Sequence, residues 1–420
     1  MPVERRQSVR SPLPRTSLGL ILIVLLCWGW QAASAAGKAV PDEVRALWVL
    51  RTSLTSPEAI QAMVRSARAA GFNTLIVQVR GRGDAYFRST LEPRAAGLVG
   101  QPVTFDPLDT TLSLAHQAGL NVHAWVNVNL VSSATELPAD RTHVIYRHPE
   151  WLMLPRQLVD DVAPLAPGSP EYLGKLARWI RGQSSEVEGL YVSPILQGAV
   201  DHVVAIVADL AARYPVDGVH LDYLRYPNED FDYSPSALSA FRATVVSRLA
   251  DVERRRLDAR AAIDRTIYAD TFPDSWREFR QSRLNALVMK LRTALKATRP
   301  DAALSVAVFP AARDASRQRL QDWQAWLDNG LIDILCPMAY TPDPAIFRVQ
   351  VEAARQMAGL HPVWVGIGAY RLSSAQTIEN ILAARRLGAR GIILFSYDSL
   401  TSPPNGADYL SEVARVAFDQ

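Results

Sequence analysis

Between residues 44 and 397 the chain repeats one unit eight times: a short, nearly all-apolar run, a turn, and a stretch with the apolar spacing of an amphipathic helix. The runs are residues 44–52 (VRALWVLRT), 74–80 (TLIVQVR), 122–128 (VHAWVNV), 219–225 (VHLDYLR), 304–309 (LSVAVF), 334–340 (ILCPMAY), 363–369 (VWVGIGA) and 392–397 (IILFSY). Ser56-Pro57-Glu58 and Asp106-Pro107 each put a capping side chain before a proline in the first helical turn, and Gly71 and Gly119 close those helices. Further helical patterns cover residues 199–213, 316–329, 345–359 and 375–387, with a closing helix over 408–418. A strand that is apolar on both sides must be covered on both faces, so such strands pair in parallel with helices outside. Eight units of this kind are expected to close into a single (β/α)8 TIM barrel. An open doubly wound sheet competes, but no Gly-x-Gly-x-x-Gly opens a helix here.

Two intervals are too long for plain connections, residues 129–197 and 226–303. Both follow the C-terminal end of a strand, the face on which barrels carry their chemistry, so they are expected to wall a groove rather than form separate domains. The first contains His148-Pro149-Glu150-Trp151; the second contains residues 231–238 (FDYSPSAL) and 270–280 (DTFPDSWREFR).

The N-terminus has the pattern of an export signal. A basic, Pro/Ser-rich start is followed by an apolar run over residues 18–30 and the small residues Ala33-Ser34-Ala35, too short for a membrane span. Residues 1–35 are read as a signal peptide and 36–420 as one domain, in the periplasm or secreted. A lipid anchor at Cys27 is the weaker alternative, because Leu26 before it is bulky. The leader carries four arginines and one glutamate against a whole-chain charge of +3, so the exported part is near neutral and lacks the basic stripe that nucleic acid requires. Only Cys336 remains after cleavage, which excludes an intramolecular disulfide and a thiol-rich metal site. No cofactor and no membrane span in the mature chain are expected, and the protein is read as a monomer.

The strand ends carry the candidate chemistry: Arg51, Arg80, Asp84, Trp125, Asn127, Asn129, Asp222, Arg225, Tyr340, Tyr370, Tyr397 and Asp398. In residues 214–227 (YPVDGVHLDYLRYP) an apolar strand ends in an acid, two phenols and a guanidinium. Alternation along a strand puts His220 and Asp222 on one face and Tyr223 with Arg225 on the other, so His220 is expected beneath Asp222. Aromatic faces suit sugar rings, and Asp, Asn and Arg suit vicinal hydroxyls. Glycoside cleavage needs two carboxyl groups, about 5 Å apart for retention and roughly 6.5 to 9.5 Å apart for inversion. Asp222 is read as one of them, a nucleophile or base whose ionisation Arg225 and His220 set. The second stays open among Asp84, Glu150, Asp270 and Asp398, each of which also suits a turn, a cap or, for Asp84, a substrate contact. Histidines lack any metal-binding spacing, and no Gly-x-Ser-x-Gly elbow or phosphate loop is present.

In order and spacing, VRALWVLRTS, FNTLIVQVRGRGDAYFRS, AGLNVHAWVNV, RHPEW, DGVHLDYLRYP, IDILCPMAY, VGIGAYR and GIILFSYDSL resemble the glycosyl-hydrolase-like family 10, exported bacterial barrels that include a peptidoglycan glycan-strand hydrolase. The resemblance spans residues 44–400. It implies a (β/α)8 barrel of the cell envelope acting on a polysaccharide, with Asp222 catalytic and Arg80, Asp84, Trp125, Asn127 and Tyr340 lining the cleft. Two departures stand out: Tyr223 follows Asp222 where the family often pairs two aspartates, and Val128 follows Asn127 where it often has proline. The chitinase pattern Asp-Gly-x-Asp-x-Asp-x-Glu is matched only by Asp217, Gly218 and Asp222, with Leu224 in the donor's place. Three readings follow: a glycosidase acting on a polysaccharide such as the peptidoglycan glycan, a barrel that binds glycan without cutting it, and a deacetylase or esterase on the same fold.

Overall fold

The computed structural model describes residues 43–403, 406 and 408–418. The expected signal peptide and Cys27 lie outside the described residues. Eight strands form a closed barrel in sequence order, every neighbouring pair parallel. They are β1 (Val44–Val49), β2 (Thr74–Arg80), β3 (Asn121–Asn127), β4 (Gly218–Asp222), β5 (Ala303–Val308), β6 (Ile334–Ala339), β7 (Trp364–Ile367) and β8 (Gly391–Phe395). The (β/α)8 architecture expected from the apolar rhythm is therefore the one the chain adopts.

The helix starts follow from their caps. Ser56 accepts from the Ala59 amide ahead of helix Pro57–Ala69, Asp106 does the same for Pro107–Gln117, and Ser373 with Gln376 makes a reciprocal capping box for Ser374–Arg386. Gly71 and Gly119 take positive φ angles just past two of these helices, where a Cβ would be strained. Residues 316–329 do not form the single helix expected. They split into Ala312–Gln318 and Trp323–Asp328, and the chain turns between them at Leu320, itself at positive φ.

Burial separates into two layers. Outward-facing strand residues such as Leu47, Val77, Val219 and Leu394 pack under the helices. Inward-facing Trp48, Ile76, Trp125, Cys336, Trp364 and Ile393 fill the barrel. Three glycines make room for the large rings inside: a Cβ on Gly218 would meet the His123 ring at 2.5 Å, one on Gly366 the Trp48 ring at 2.7 Å, and one on Gly391 the Trp364 ring at 2.6 Å. Among the described residues no helix is long and apolar enough to cross a membrane.

Both long intervals rise from strand ends. After β3 the chain makes a wide excursion containing helix Pro170–Gly182, then returns through antiparallel bridges of Leu130 with Tyr191 and of Leu152 with Val192. After β4 come helices Pro235–Val246 and Asp251–Ala261, then the long helix Pro273–Thr298 that packs beside Gln197–Arg213.

Candidate functional site

β4 ends at Asp222, one residue before side-chain alternation stops being informative. Pairing with β3 places Asp222 opposite Asn127, and the Asp222 carbonyl accepts from the Val128 amide at 2.8 Å. At Tyr223 the backbone then turns into the left-handed region, φ 50°. The expected separation of Asp222 from Tyr223 and Arg225 on opposite strand faces therefore does not hold. All three line one cavity of about 330 Å³ at the C-terminal mouth of the barrel, the face on which barrel enzymes work.

Trp48, Trp125, Tyr340 and Phe395 give this cavity aromatic walls, and Arg51, Arg82, Gln78 and Asn127 give it hydrogen-bonding groups. Tyr340 and Phe395 stack with centroids 5.5 Å apart, and Tyr370 stands edge-on to Tyr340 at 6.3 Å, its ring 42% exposed. The ring positions are fixed from below. Trp48 Nε1 donates to His220 Nε2 at 3.1 Å, which leaves the proton of neutral His220 on Nδ1, 3.0 Å from Ser305 Oγ. Burial, with His123 nearby, holds His220 far below the usual imidazole range. His220 is thus a neutral support for Trp48, and its hydrogen bonds run to Trp48 and Ser305 rather than to Asp222. Trp125 Nε1 donates to Asn127 Oδ1 at 2.8 Å, and Asn127 Nδ2 in turn donates to the Gly81 carbonyl at 2.8 Å.

The Asp222 side chain is 10% exposed, with Arg225 Nη1 3.6 Å from Oδ1. Oδ1 also accepts from the Tyr223 amide at 2.6 Å. Burial raises its pKa above the ordinary aspartate value; Arg225, the Tyr223 amide and the Trp125 indole oppose the shift without cancelling it, and the charge of Glu188 adds to it. Glu188 is the acid that sequence reasoning missed. Arg225 Nη2 donates to its Oε1 at 2.9 Å and the Tyr191 hydroxyl to its Oε2 at 2.7 Å. Burial pushes Glu188 up, but Arg225 and these hydrogen bonds outweigh it and leave the pKa below normal. One guanidinium therefore joins two carboxyl groups whose environments drive their ionisation in opposite directions. Nothing local in the sequence marks Glu188: it is one of several acids in the long β3–β4 interval, with Glu186 two residues before it, and only the return of that segment to pair with residue 130 brings it against Arg225.

The other foreseen residues are distributed unevenly. Arg51 lines the cavity and donates from Nη1 to Gln78 Oε1 at 2.9 Å. Arg80 points away from it: its side chain is 1% exposed, with Nε 2.8 Å and Nη2 2.5 Å from the Glu92 carboxylate and Nη1 bonded to the Asn127 and Val128 carbonyls. Asp84 accepts from the Arg82 amide at 2.9 Å. Tyr397 begins the short helix Tyr397–Leu400 and interacts with Ser66 and Thr401 outside the cavity. Asp398 accepts from the Leu50 amide and the Thr52 and Ser53 hydroxyls at 2.7–2.8 Å, Glu150 pairs with His148, and Asp270 pairs with Arg156. These three acids are committed elsewhere. Among the described residues no three His, Cys, Asp or Glu side chains converge as a metal-binding set.

A closed parallel barrel whose mouth holds a shielded carboxyl among indole, phenol and guanidinium groups is a TIM barrel with a candidate site on the face where such barrels work. The chain belongs to the glycosyl hydrolase-like 10 family, whose model matches residues 43–381. It is 25% identical over 341 residues to the glycosyl hydrolase DigH of Escherichia coli K12, covering 74% of this chain and 65% of that protein's length. It is also 21% identical over 411 residues to the glycosyl hydrolase YngK of Bacillus subtilis, covering 87% and 70%. Among solved structures, the PgaB (BpsB) glycoside hydrolase domain of Bordetella bronchiseptica superposes with TM-score 0.61 at 17% identity, covering 90% of this chain and all of that one. An α-L-fucosidase of Paenibacillus thiaminolyticus superposes at 0.55 and 16%, covering 89% and 49%. At these identities the structural likenesses speak for the fold.

Proposed function

We propose that this protein is an exported glycosidase that cleaves a polysaccharide, with the glycan strands of peptidoglycan as its substrate and Asp222 as its general acid. The observation that carries the reading is the state of Asp222: a carboxyl buried at the barrel mouth, pushed toward its protonated form, facing an open cavity with stacked aromatic walls. A carboxyl that burial makes hold its proton more firmly than an ordinary aspartate can supply the proton that a departing sugar oxygen needs. This departs from the nucleophile or base role that the sequence suggested, because burial outweighs the opposing pull of Arg225. Membership of a glycosyl-hydrolase-like family supports the reaction class. The resemblance to a family that includes a peptidoglycan glycan-strand hydrolase supports the substrate, and the leader pattern in residues 1–35 supports the location.

The test uses the mature chain with purified sacculi and with glycan strands stripped of peptide, and reads released oligosaccharides. Wild type is expected to release them, and Asp222→Asn to be slower by about 10²- to 10⁴-fold, the usual worth of a general acid. No product from wild type, or equal product from the variant, refutes the reading. A second reading, a barrel that binds glycan without cutting it, is favoured by the fact that Asp222 is the single carboxylate among the residues lining the cavity. It predicts saturable binding by both proteins and turnover by neither.

A further inference from the structure

The geometry points to Glu188 as the general base that works opposite Asp222, an assignment that rests on the glycosidase reading above. Arg225 is the link. Its Nη2 lies 2.9 Å from Glu188 Oε1 and its Nη1 3.6 Å from Asp222 Oδ1, so the two acids stand on either side of one guanidinium group. The placement is rigid on both sides. Asp222 is fixed by its strand register, and the segment carrying Glu188 is stitched to the chain leaving β3 by Ala134 N–H to Glu188 O at 3.0 Å, Val131 N–H to Leu190 O at 2.8 Å and Val192 N–H to Asn129 O at 2.8 Å. Arg82, which lines the cavity, also donates to the Glu188 carbonyl, at 3.5 Å.

Exposure separates the two roles. The Glu188 side chain is 34% exposed, against 10% for Asp222 and 4% for Arg225. A base that must deprotonate water needs contact with solvent, whereas an acid that must hold its proton needs shelter. Both Glu188 oxygens already accept hydrogen bonds, from Arg225 and Tyr191, which blunts them for direct attack on a sugar carbon but leaves lone pairs able to polarise a water molecule. A sheltered acid and a solvent-touching base that activates a water are the pair an inverting glycosidase uses. In the resulting step Asp222 gives its proton to the glycosidic oxygen as the bond from C1 to that oxygen breaks, the electron pair leaving with the oxygen. A water oxygen bonds to C1 from the opposite face and loses a proton to Glu188. One water is consumed, and the proton on Glu188 is returned to Asp222 through solvent.

Glu188→Gln and Glu188→Ala are compared with wild type on peptide-stripped glycan strands. The Gln variant is expected to lose about 10²- to 10⁴-fold in rate. Added azide is expected to restore turnover in the Ala variant and to appear in the product as a glycosyl azide, an effect that loss of a merely structural ion pair would not produce. Wild type alone gives an independent readout, since proton NMR of the first product formed should show the inverted anomer. A retained anomer, or a correctly folded Gln variant within about tenfold of wild type, overturns the role of Glu188 while leaving the glycosidase reading intact. An inactive wild type overturns both.

Discussion

Removing the guanidinium that joins the two acids is the most direct test of the electrostatics of this site. In Arg225→Met the side chain stays long and apolar but loses the guanidinium that lies over the Tyr223 and Phe309 rings, while Glu188 loses its 2.9 Å partner and Asp222 the cation 3.6 Å away. Breaking a fully buried ion pair costs about 3–5 kcal/mol. Glu188 is one-third exposed and recovers part of its hydration, which brings the expected loss to about 2–3 kcal/mol at neutral pH. The loss depends on pH in a defined direction. Because the folded Glu188 titrates below its unfolded value, the pair's stabilisation is present above about pH 4.3 and disappears as pH falls through the depressed folded value. Urea midpoints of wild type and variant should therefore differ most near pH 7 and converge in acid. In the activity profile, Asp222 without Arg225 keeps its proton to higher pH, so the alkaline limb of kcat/KM moves up even though the rate falls. Equal midpoints at pH 7, or an alkaline limb that stays or moves down, would refute the claim that Arg225 sets both ionisations.

Two further outcomes concern support and binding. Glu92→Gln strips the buried Arg80 and the adjacent His202 of their anion and should destabilise by about 3–5 kcal/mol at pH 7. Glu92 is held at about 2, its burial outweighed by Arg80 and His202, so this contribution is present above the unfolded carboxylate range and fades as pH drops toward 2. Melts at pH 7 and pH 3 should show the gap to wild type narrowing. Tyr370→Ala removes a half-exposed ring that stands edge-on to Tyr340 and Phe395 of the cavity wall, and oligosaccharide affinity should fall roughly 2- to 10-fold by calorimetry with little change in melting temperature.

The barrel was legible because its determinants are local and repeated. Each strand advertises itself by being apolar on both sides, and the caps at Ser56 and Asp106 mark helix starts within a residue. Site residues on strand registers were legible for the same reason: Trp125, Asn127, Asp222 and Tyr340 reach the cavity from β3, β4 and the end of β6. Arg80 was misread as a cleft residue because a basic residue at a strand end looks alike whether it faces a ligand or a buried glutamate twelve residues away. Its partner, Glu92, lies in a loop without periodicity, so no pattern in the sequence announces the pair. Glu188 escaped notice for a related reason, since its position depends on the closure of a long excursion rather than on any motif.

Tyr223 shows why the remaining step could not be read from alternation. Period-two reasoning holds only while the backbone stays extended, and a non-glycine residue at φ 50° costs about 1–2 kcal/mol that something else must offset. Here the offset is visible: the Arg225 guanidinium lies 4.1 Å over the Tyr223 ring, and the Tyr223 amide donates to Asp222. The same contacts that stabilise the turn carry the acid, the phenol and the guanidinium to one side of the mouth. A chain that continued as a regular strand would have sent Arg225 away from Asp222, leaving the carboxyl without a cation and Glu188 without a partner. The sparsely populated backbone conformation and the joined acid pair are thus one structural fact, and the strain at Tyr223 sits where function would require it.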